Sequence, residues 1–413
     1  MRSLFITKNI PYPPVGGVAL RNWQNMNILM NWGEVGVFSF SNWNPERKAI
    51  AGLSLWRHCN VVEARTGKES WARRFWWLRR FGHPEADWAY AQQGARELAA
   101  ILSEFKPDVV IFEEVWLFRY LQTVRDFGCA IIFDEHNVEA DIYQQKYSQA
   151  NNLRSQLKFR RQYPQLLAME RAFLQIARQT WVCSQPDQKL LQARYNQPSF
   201  VVPNAVNVNS YELARNQQEP IPKGLNSEQS YLLFMGQLSY LPNTIAVEWL
   251  LSEIYPQLRS QLGDFTLLLV GRCPTAFMEA AAAADRNILV TGSVPDVRPY
   301  LAIARAMIVP LRQGGGTRLK ILEAMASGCP VISTSKGSEG LEATHNQELL
   351  IADTTGDLIA EAVRMWQDPD LRSHLRQRAL QLVQAQYSWE AAQRAIEKAL
   401  VTDNIAPPLK SAV

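Results

Sequence analysis

The stretch PLRQGGGTRLKILEAMASGCP, Pro310 to Pro330, followed by Val331-Ile-Ser-Thr334, decides how the rest of the chain is read. It reads as strand, glycine loop, helix, turn, strand. Gly314, Gly315 and Gly316 let a backbone approach a ligand closely, and Thr317 is the expected N-cap of a helix over Arg318–Ser327. Gly328 and then Pro330 stop that helix. Exposed amides at a helix start, at the positive end of the helix dipole, make an anion site. Arg318 and Lys320 add full positive charge near the same point. A glycine triplet alone reads as a flexible capped loop. The triplet with Thr317, Arg318, Lys320 and Glu323 at these spacings favours a phosphate site.

On both sides of this stretch, short apolar runs alternate with longer helix-like segments. The first-half runs are Ser3–Thr7, Val35–Phe40, Val109–Glu113, Ala130–Asp134, Thr180–Ser184 and Phe200–Pro203. The second-half runs are Tyr231–Met235, Thr266–Val270, Ile288–Thr291, Ala306–Pro310, Val331–Thr334 and Leu349–Ala352. Most are continuously apolar, as strands covered on both faces are, so the sheets are expected to be parallel and doubly wound. The polar segment 207–230 reads as a linker. It separates a first domain, 1–206, from a second, 231–387, with ligands expected in a cleft that the two domains face. A last helix near 388–400 is expected, and the tail 401–413, with Pro407 and Pro408, reads as disordered.

Composition narrows the function classes. The 413 residues are 47% hydrophobic and 20% charged, ordinary for a globular chain. No run of about 18 apolar residues occurs, so no membrane-spanning helix is expected. Met1–Asn9 reads as a strand and not as a secretory leader. The five cysteines (Cys59, Cys129, Cys183, Cys273, Cys329) are scattered without a CxxC pair, which points to a reducing, cytoplasmic setting and away from a zinc ribbon. A net charge of +4 over this length does not call for nucleic acid. No Gly-x-Ser-x-Gly elbow is present. Asp134-Glu135 is the nearest pair of acidic neighbours to a metal-binding pattern, and neither a metal site nor a cofactor is implied.

The segment Gly314–Thr334 resembles the donor-binding signature of glycosyltransferase family 4, the retaining GT-B enzymes, in a bacterial subgroup with a triple-glycine loop. Further motifs follow in family order over Ser3 to about Leu400. They are Pro11-Tyr-Pro-Pro-Val-Gly-Gly17, Phe133-Asp-Glu-His-Asn-Val-Glu139, Val182-Cys-Ser-Gln-Pro-Asp187 and Val202-Pro-Asn-Ala-Val-Asn207. Phe234-Met-Gly-Gln-Leu238 with Leu241-Pro-Asn243, Val270-Gly-Arg-Cys-Pro274 and Thr291-Gly-Ser-Val-Pro-Asp-Val297 complete the series. Each alone is weak; seven in order are specific for the family, though not for a substrate.

The resemblance implies a GT-B architecture of two Rossmann-like domains. The implied reaction is metal-independent transfer of a hexose from a nucleotide diphosphate sugar to an acceptor hydroxyl, with retention. It places His136 beside the transferred sugar, Arg318 and Lys320 on the leaving diphosphate, and Glu323 on the donor ribose. Gly16, Gly17, Gly236, Gly271, Val294, Gly314, Gly315, Gly316, Thr317 and Leu319 are the remaining donor-side positions. Preorganised cations and amides aimed at a developing phosphate charge are worth a few kcal/mol each.

Five positions depart from the family pattern, two of them slightly: Ala205 and Asn207 replace the commoner Gly and Asp. Gly315 stands where many members carry an acidic residue, and Gln237 and Asn243 stand where many carry Arg and Lys. The positive charge has moved to Arg318 and Lys320. These departures keep open a non-catalytic, nucleotide-sugar-binding or scaffold member of the fold. A sugar or lipid-linked acceptor is expected on the first domain, around Gly16–Arg21 and Trp43–Trp88. Within that region Trp71–Phe81 interleaves Arg73, Arg74, Arg79 and Arg80 with large aromatics. It reads either as a peripheral contact with an anionic membrane or as an acceptor loop with core aromatics.

Overall fold

The computed structural model describes residues 1–8, 12, 14, 16–41, 52–64, 81–148 and 152–409. The chain divides into two compact units, Met1–Pro203 with Gln393–Val413, and Asn204–Ala392.

The first unit holds a seven-stranded parallel sheet in the order β3-β2-β1-β4-β5-β6-β7. Its strands are β1 Ser3–Thr7, β2 Val35–Ser41, β3 Leu55–Asn60, β4 Val109–Glu113, β5 Ala130–Glu135, β6 Gln179–Val182 and β7 Phe200–Val201. Every residue of β1, β2 and β4 is buried, which is why these strands read as unbroken apolar runs. β3 escaped the sequence reading because it is an edge strand. Its sequence, Leu-Trp-Arg-His-Cys-Asn, offers one side to solvent and carries no apolar run.

The second unit repeats the plan with six parallel strands in the order β10-β9-β8-β11-β12-β13. These are β8 Tyr231–Met235, β9 Thr266–Val270, β10 Ile288–Gly292, β11 Ala304–Val309, β12 Val331–Ser333 and β13 Leu350–Ile351. In each unit the strand order reverses once, between β1 and β4 and between β8 and β11. In doubly wound sheets ligands bind outside the carboxyl ends of the strands at that reversal. Glu113 ends β4 at one reversal, and Gly236 follows β8 at the other.

Two boundary readings need correction. The segment 207–230 belongs to the second unit and is not a free tether. Its polar residues pair with that unit: Tyr211 donates to Glu323 Oε1 at 3.0 Å, and Arg215 to the Ala326 carbonyl at 2.7 Å. Asp403, Pro407 and Leu409 of the tail are hydrogen-bonded within the first unit. The last helix, Trp389–Thr402, runs from the second unit into the first. Gln179 Nε2 donates to the Ala399 carbonyl at 2.5 Å and to Asp403 Oδ2 at 2.7 Å, while Trp32 Nε1 donates to the Pro407 carbonyl at 3.0 Å. Among the described residues, no helix is long and apolar enough to cross a membrane. Residues 71–80, which carry the Arg/Trp cluster, lie outside the described residues. Phe81 is inside them and packs on Phe118, with ring centroids 5.0 Å apart.

Candidate functional site

In the second unit the site grows from two glycines at the ends of adjacent strands. Gly236 (φ 148°) leaves β8 and Gly271 (φ 153°) leaves β9. A Cβ on Gly271 would stand 1.7 Å from the Gly236 carbonyl oxygen, so only glycine fits there. A Cβ on Gly236 would stand 2.8 Å from Lys320 Nζ. The closeness of these backbones leaves room for the lysine head.

Lys320 reaches this point from the helix Leu319–Ala326. Its Nζ donates to Asn243 Oδ1 at 2.9 Å and lies 4.5 Å from the centroid of the Phe234 ring. Asn243 is fixed in turn by its Nδ2 donating to the Gln237 carbonyl at 2.8 Å. Burial, then the charge of Arg318, pushes Lys320 down to about 7, with Glu323 opposing. Position 243 therefore supplies no cation of its own but holds one delivered from another element. Arg272 adds a second long-range link, its NH2 donating to Gln237 Oε1 at 2.9 Å.

The glycine loop curls back on Arg318. Gly314 (φ 117°) and Gly316 (φ 69°) take the left-handed conformations that make the bend. Arg318 NH1 donates to the Gly315 carbonyl, and a Cβ on Gly314 would stand 3.0 Å from Arg318 NH2. Arg318 and Lys320 are thus half-buried in the loop and not exposed cations. The N-cap reading is also corrected. Arg318 occupies the cap without a side-chain hydrogen bond, and the helix begins at Leu319. Thr317 is buried, its Oγ1 is unpaired, and its carbonyl accepts from Asn204 Nδ2 at 3.4 Å.

Glu323 lies one turn on from Lys320. Burial raises it to about 7, against the hydrogen bond from Tyr211 and the charge of Lys320. Leu319 is buried at the first turn of the helix, and Val294 is half-buried in the loop after β10. The second unit thus brings Gly236, Gly271, Gly314, Arg318, Lys320 and Glu323 into one neighbourhood. Tyr211 and the supporting role of Asn243 could not be read from sequence spacing, because their partners are 112 and 77 residues away.

His136 belongs to the first unit, just past β5. It is 5% exposed, and its Nε2 stands 3.4 Å from Asp134 Oδ2. Asp134 is itself held by Arg21, at 2.5 Å from NH2 and 3.0 Å from Nε, and by Asn25 Nδ2 at 2.9 Å. Burial would raise the Asp134 carboxyl, but Arg21 and then His136 outweigh it and hold it down to about 2. Arg21 also donates to the Val202 carbonyl at 2.7 Å. It is a buried strut. Gly16 (φ 90°) caps the helix Gly17–Leu29, and a Cβ there would meet nothing within 4 Å. Its role is the backbone turn. Among the described residues, Glu113, Glu114 and His136 form the group whose ligand atoms lie close enough to share an ion.

Comparison with known proteins identifies the fold. Over 97% of this chain and 99% of the other, the structure superposes on sucrose-phosphate synthase from Thermosynechococcus elongatus with TM-score 0.71 at 17% identity. The Anabaena protein HepE in complex with UDP gives TM-score 0.68 at 11% identity, over 97% and 100%. WaaG, a glycosyltransferase involved in lipopolysaccharide biosynthesis, gives 0.67 at 16%, over 96% and 99%. The fold is GT-B. Residues 229–368 match the family described as Glycosyl transferases group 1, so this domain carries the glycines, Arg318, Lys320 and Glu323. An uncharacterised 44.6 kDa protein in the cps region of Klebsiella pneumoniae is 31% identical over 129 residues. That match spans 29% of this chain and a third of the relative's length (33%).

Proposed function

We propose that the protein is a retaining, metal-independent hexosyltransferase. It would move a hexose from a nucleotide diphosphate sugar to an acceptor hydroxyl, with the donor held by the second unit. One observation carries the reading: a half-buried lysine, already lowered to about 7, is packed with Arg318 against close-set glycines at a strand-order reversal. Such a site is costly when empty and is relieved by a diphosphate, whose charge restores the lysine's proton. Cations fixed before the reaction stabilise the leaving group without a divalent ion. Glu323, largely withdrawn from water, accepts hydroxyl hydrogens from the donor ribose, as carboxylates do. Gly271 and Val294 border the nucleotide base. His136, steadied by Asp134, meets the transferred sugar. That HepE is known in complex with UDP and with UDP-glucose supports a uridine donor as the first to try. An acceptor among cell-surface saccharides or their lipid-linked precursors accords with the WaaG likeness.

The test is a calorimetric screen of nucleotide sugars followed by NMR of the product in excess chelator. The expected product keeps the donor's anomeric configuration. Inversion, or a strict need for magnesium or manganese, overturns the mechanism. Tight donor binding with no transfer to any acceptor favours the non-catalytic reading that Gly315 motivates.

A further inference from the structure

The second unit has a cavity at the end of its sheet opposite the glycines. Its walls include Ile303 and Arg305 where β11 begins, Gly328 and Pro330 just before β12, and Arg372 and Arg376 of the helix Pro369–Gln386. β11 runs parallel to β8, whose far end carries Gly236. At about 3.3 Å per residue, the length of β11 puts roughly 20 Å between this cavity and the donor site. The cavity holds about 260 Å³. Pockets for drug-sized ligands hold roughly 300–1,000 Å³, so the space suits a small group and not a whole nucleotide sugar.

Arg372 and Arg376 are one helical turn apart and share a face. Arg372 Nη1 donates to the carbonyls of Met365 at 2.8 Å and Trp366 at 2.9 Å, and Arg305 Nη2 donates to that of Trp366 at 2.7 Å. These bonds close the carboxyl end of the helix Thr355–Gln367. Capping thus accounts for part of two side chains. It leaves Arg305 Nε shut off from solvent without a partner. It leaves Arg376 wholly unexplained. Among the described residues, Arg376 has no hydrogen-bond partner, and none of the three arginines has a carboxylate at ion-pair distance. A Cβ on Gly328 would stand 3.4 Å from Arg376 Nε, so this guanidinium lies against the wall of the cavity.

The chemistry of the walls narrows the occupant. The acid that acts on Arg372 is Asp368, which is exposed and whose Oδ1 already accepts the Leu371 amide at 2.9 Å. Three guanidiniums against one exposed carboxylate leave about two positive charges to be matched. A phosphate monoester carries about −1.5 to −2 at neutral pH, whereas a carboxylate carries one charge. The guanidinium fork also fits phosphate oxygens in pairs. We propose that this cavity is a second anion site, apart from the donor site, which takes the phosphate of a small phosphomonoester. A soluble phosphorylated metabolite and the headgroup of phosphatidic acid share that chemistry. The proposal does not depend on the transferase reading.

Calorimetry with inorganic phosphate and with glycerol 3-phosphate, and sedimentation with phosphatidylcholine vesicles containing phosphatidic acid, test it on wild type, Arg376→Gln, Arg376→Lys and Lys320→Met. Wild type should bind at least one of the three probes at neutral pH. Arg376→Gln should bind it about tenfold or more weakly, the size of a lost charged hydrogen bond. Arg376→Lys should recover part of that loss, and Lys320→Met should keep the binding that Arg376 supports. Without phosphate, Arg376→Gln should melt no lower than wild type, because a like-charged neighbour is gone. Phosphate should raise the thermal midpoint of wild type more than that of the variant. Binding of a soluble phosphate without the vesicles supports the site and assigns it to a metabolite. Sedimentation that Arg376→Gln loses supports the site and assigns it to the headgroup. No binding of any probe by wild type overturns the proposal, as does equal binding by Arg376→Gln. Binding lost in Lys320→Met but kept in Arg376→Gln also overturns it, because the phosphate then sits at the donor loop.

Discussion

At the scale of single residues, Lys320 shows how a charge acts through its surroundings. Its nitrogen sits on Asn243 and against a phenyl face, while burial and then the charge of Arg318 lower its proton affinity. Lys320→Met keeps the aliphatic stem and removes the charge. Turnover should fall on the order of 10²-fold or more, as on loss of one charge-stabilising group. The thermal midpoint should hold or rise, because a desolvated cation is gone. Arg318→Ala should lower turnover similarly. Unchanged turnover in both variants removes their leaving-group role. Gly271→Ala tests the scaffold beneath them. Its Cβ would collide with the Gly236 carbonyl at a φ that disfavours any side chain, costing about 3 kcal/mol or more. Urea unfolding measures that cost, and a loss below about 1 kcal/mol would mean that the two strand ends separate easily.

At the scale of elements, the central strands were legible because burial on both faces leaves an unbroken apolar signature. β3 was not, because an edge strand needs no such run. The glycine loop and the helix after it were legible from turn and cap chemistry, yet the cap itself moved from Thr317 to Arg318 once the loop folded back onto the arginine side chain. The segment 207–230 looked like a linker because composition cannot distinguish a polar residue in water from one paired with Glu323 or the Ala326 carbonyl. The Glu113–Glu114–His136 group was invisible for a related reason: a topological neighbour of β4 brings its third member. The segment Trp71–Phe81 is still argued from sequence alone. If it rests on anionic lipid, each arginine near the surface contributes about 1 kcal/mol, screened by salt. Replacing Arg73, Arg74, Arg79 and Arg80 by Gln should abolish sedimentation with phosphatidylglycerol vesicles at low salt and spare nucleotide binding. Equal sedimentation of both proteins sinks the membrane reading.

At the scale of the whole molecule, the stability of the first unit is tied to pH by acids the proposed chemistry does not use. Glu170 is fully buried, takes hydrogen bonds from the Ala140 amide at 2.8 Å and from Tyr195, and sits near Glu135. Burial raises Glu170 from 4.5 to about 7 despite those bonds, and burial with the charge of Glu170 raises Glu135 well above its ordinary value. An acid with a raised folded pKa binds more protons folded than unfolded between the two values. Its stability contribution is therefore intact below about 4.5, drains away as pH rises to about 7, and stays lost above that. A shift of this size corresponds to about 3 kcal/mol, an upper figure for a pair that shares its protons. Glu323 slopes the same way in the second unit, while Lys320, lowered from 10.5 to about 7, regains stability as pH rises above about 7. Urea unfolding at pH 5, 6, 7 and 8 should show stability falling to about pH 7 and then levelling. Glu135→Gln removes one acid and supplies an N–H beside Glu170. It should flatten the descent between pH 5 and 7 and make the variant more stable than wild type at pH 8. An unchanged slope in this variant would mean that the two carboxyls are not what couples this fold to protons.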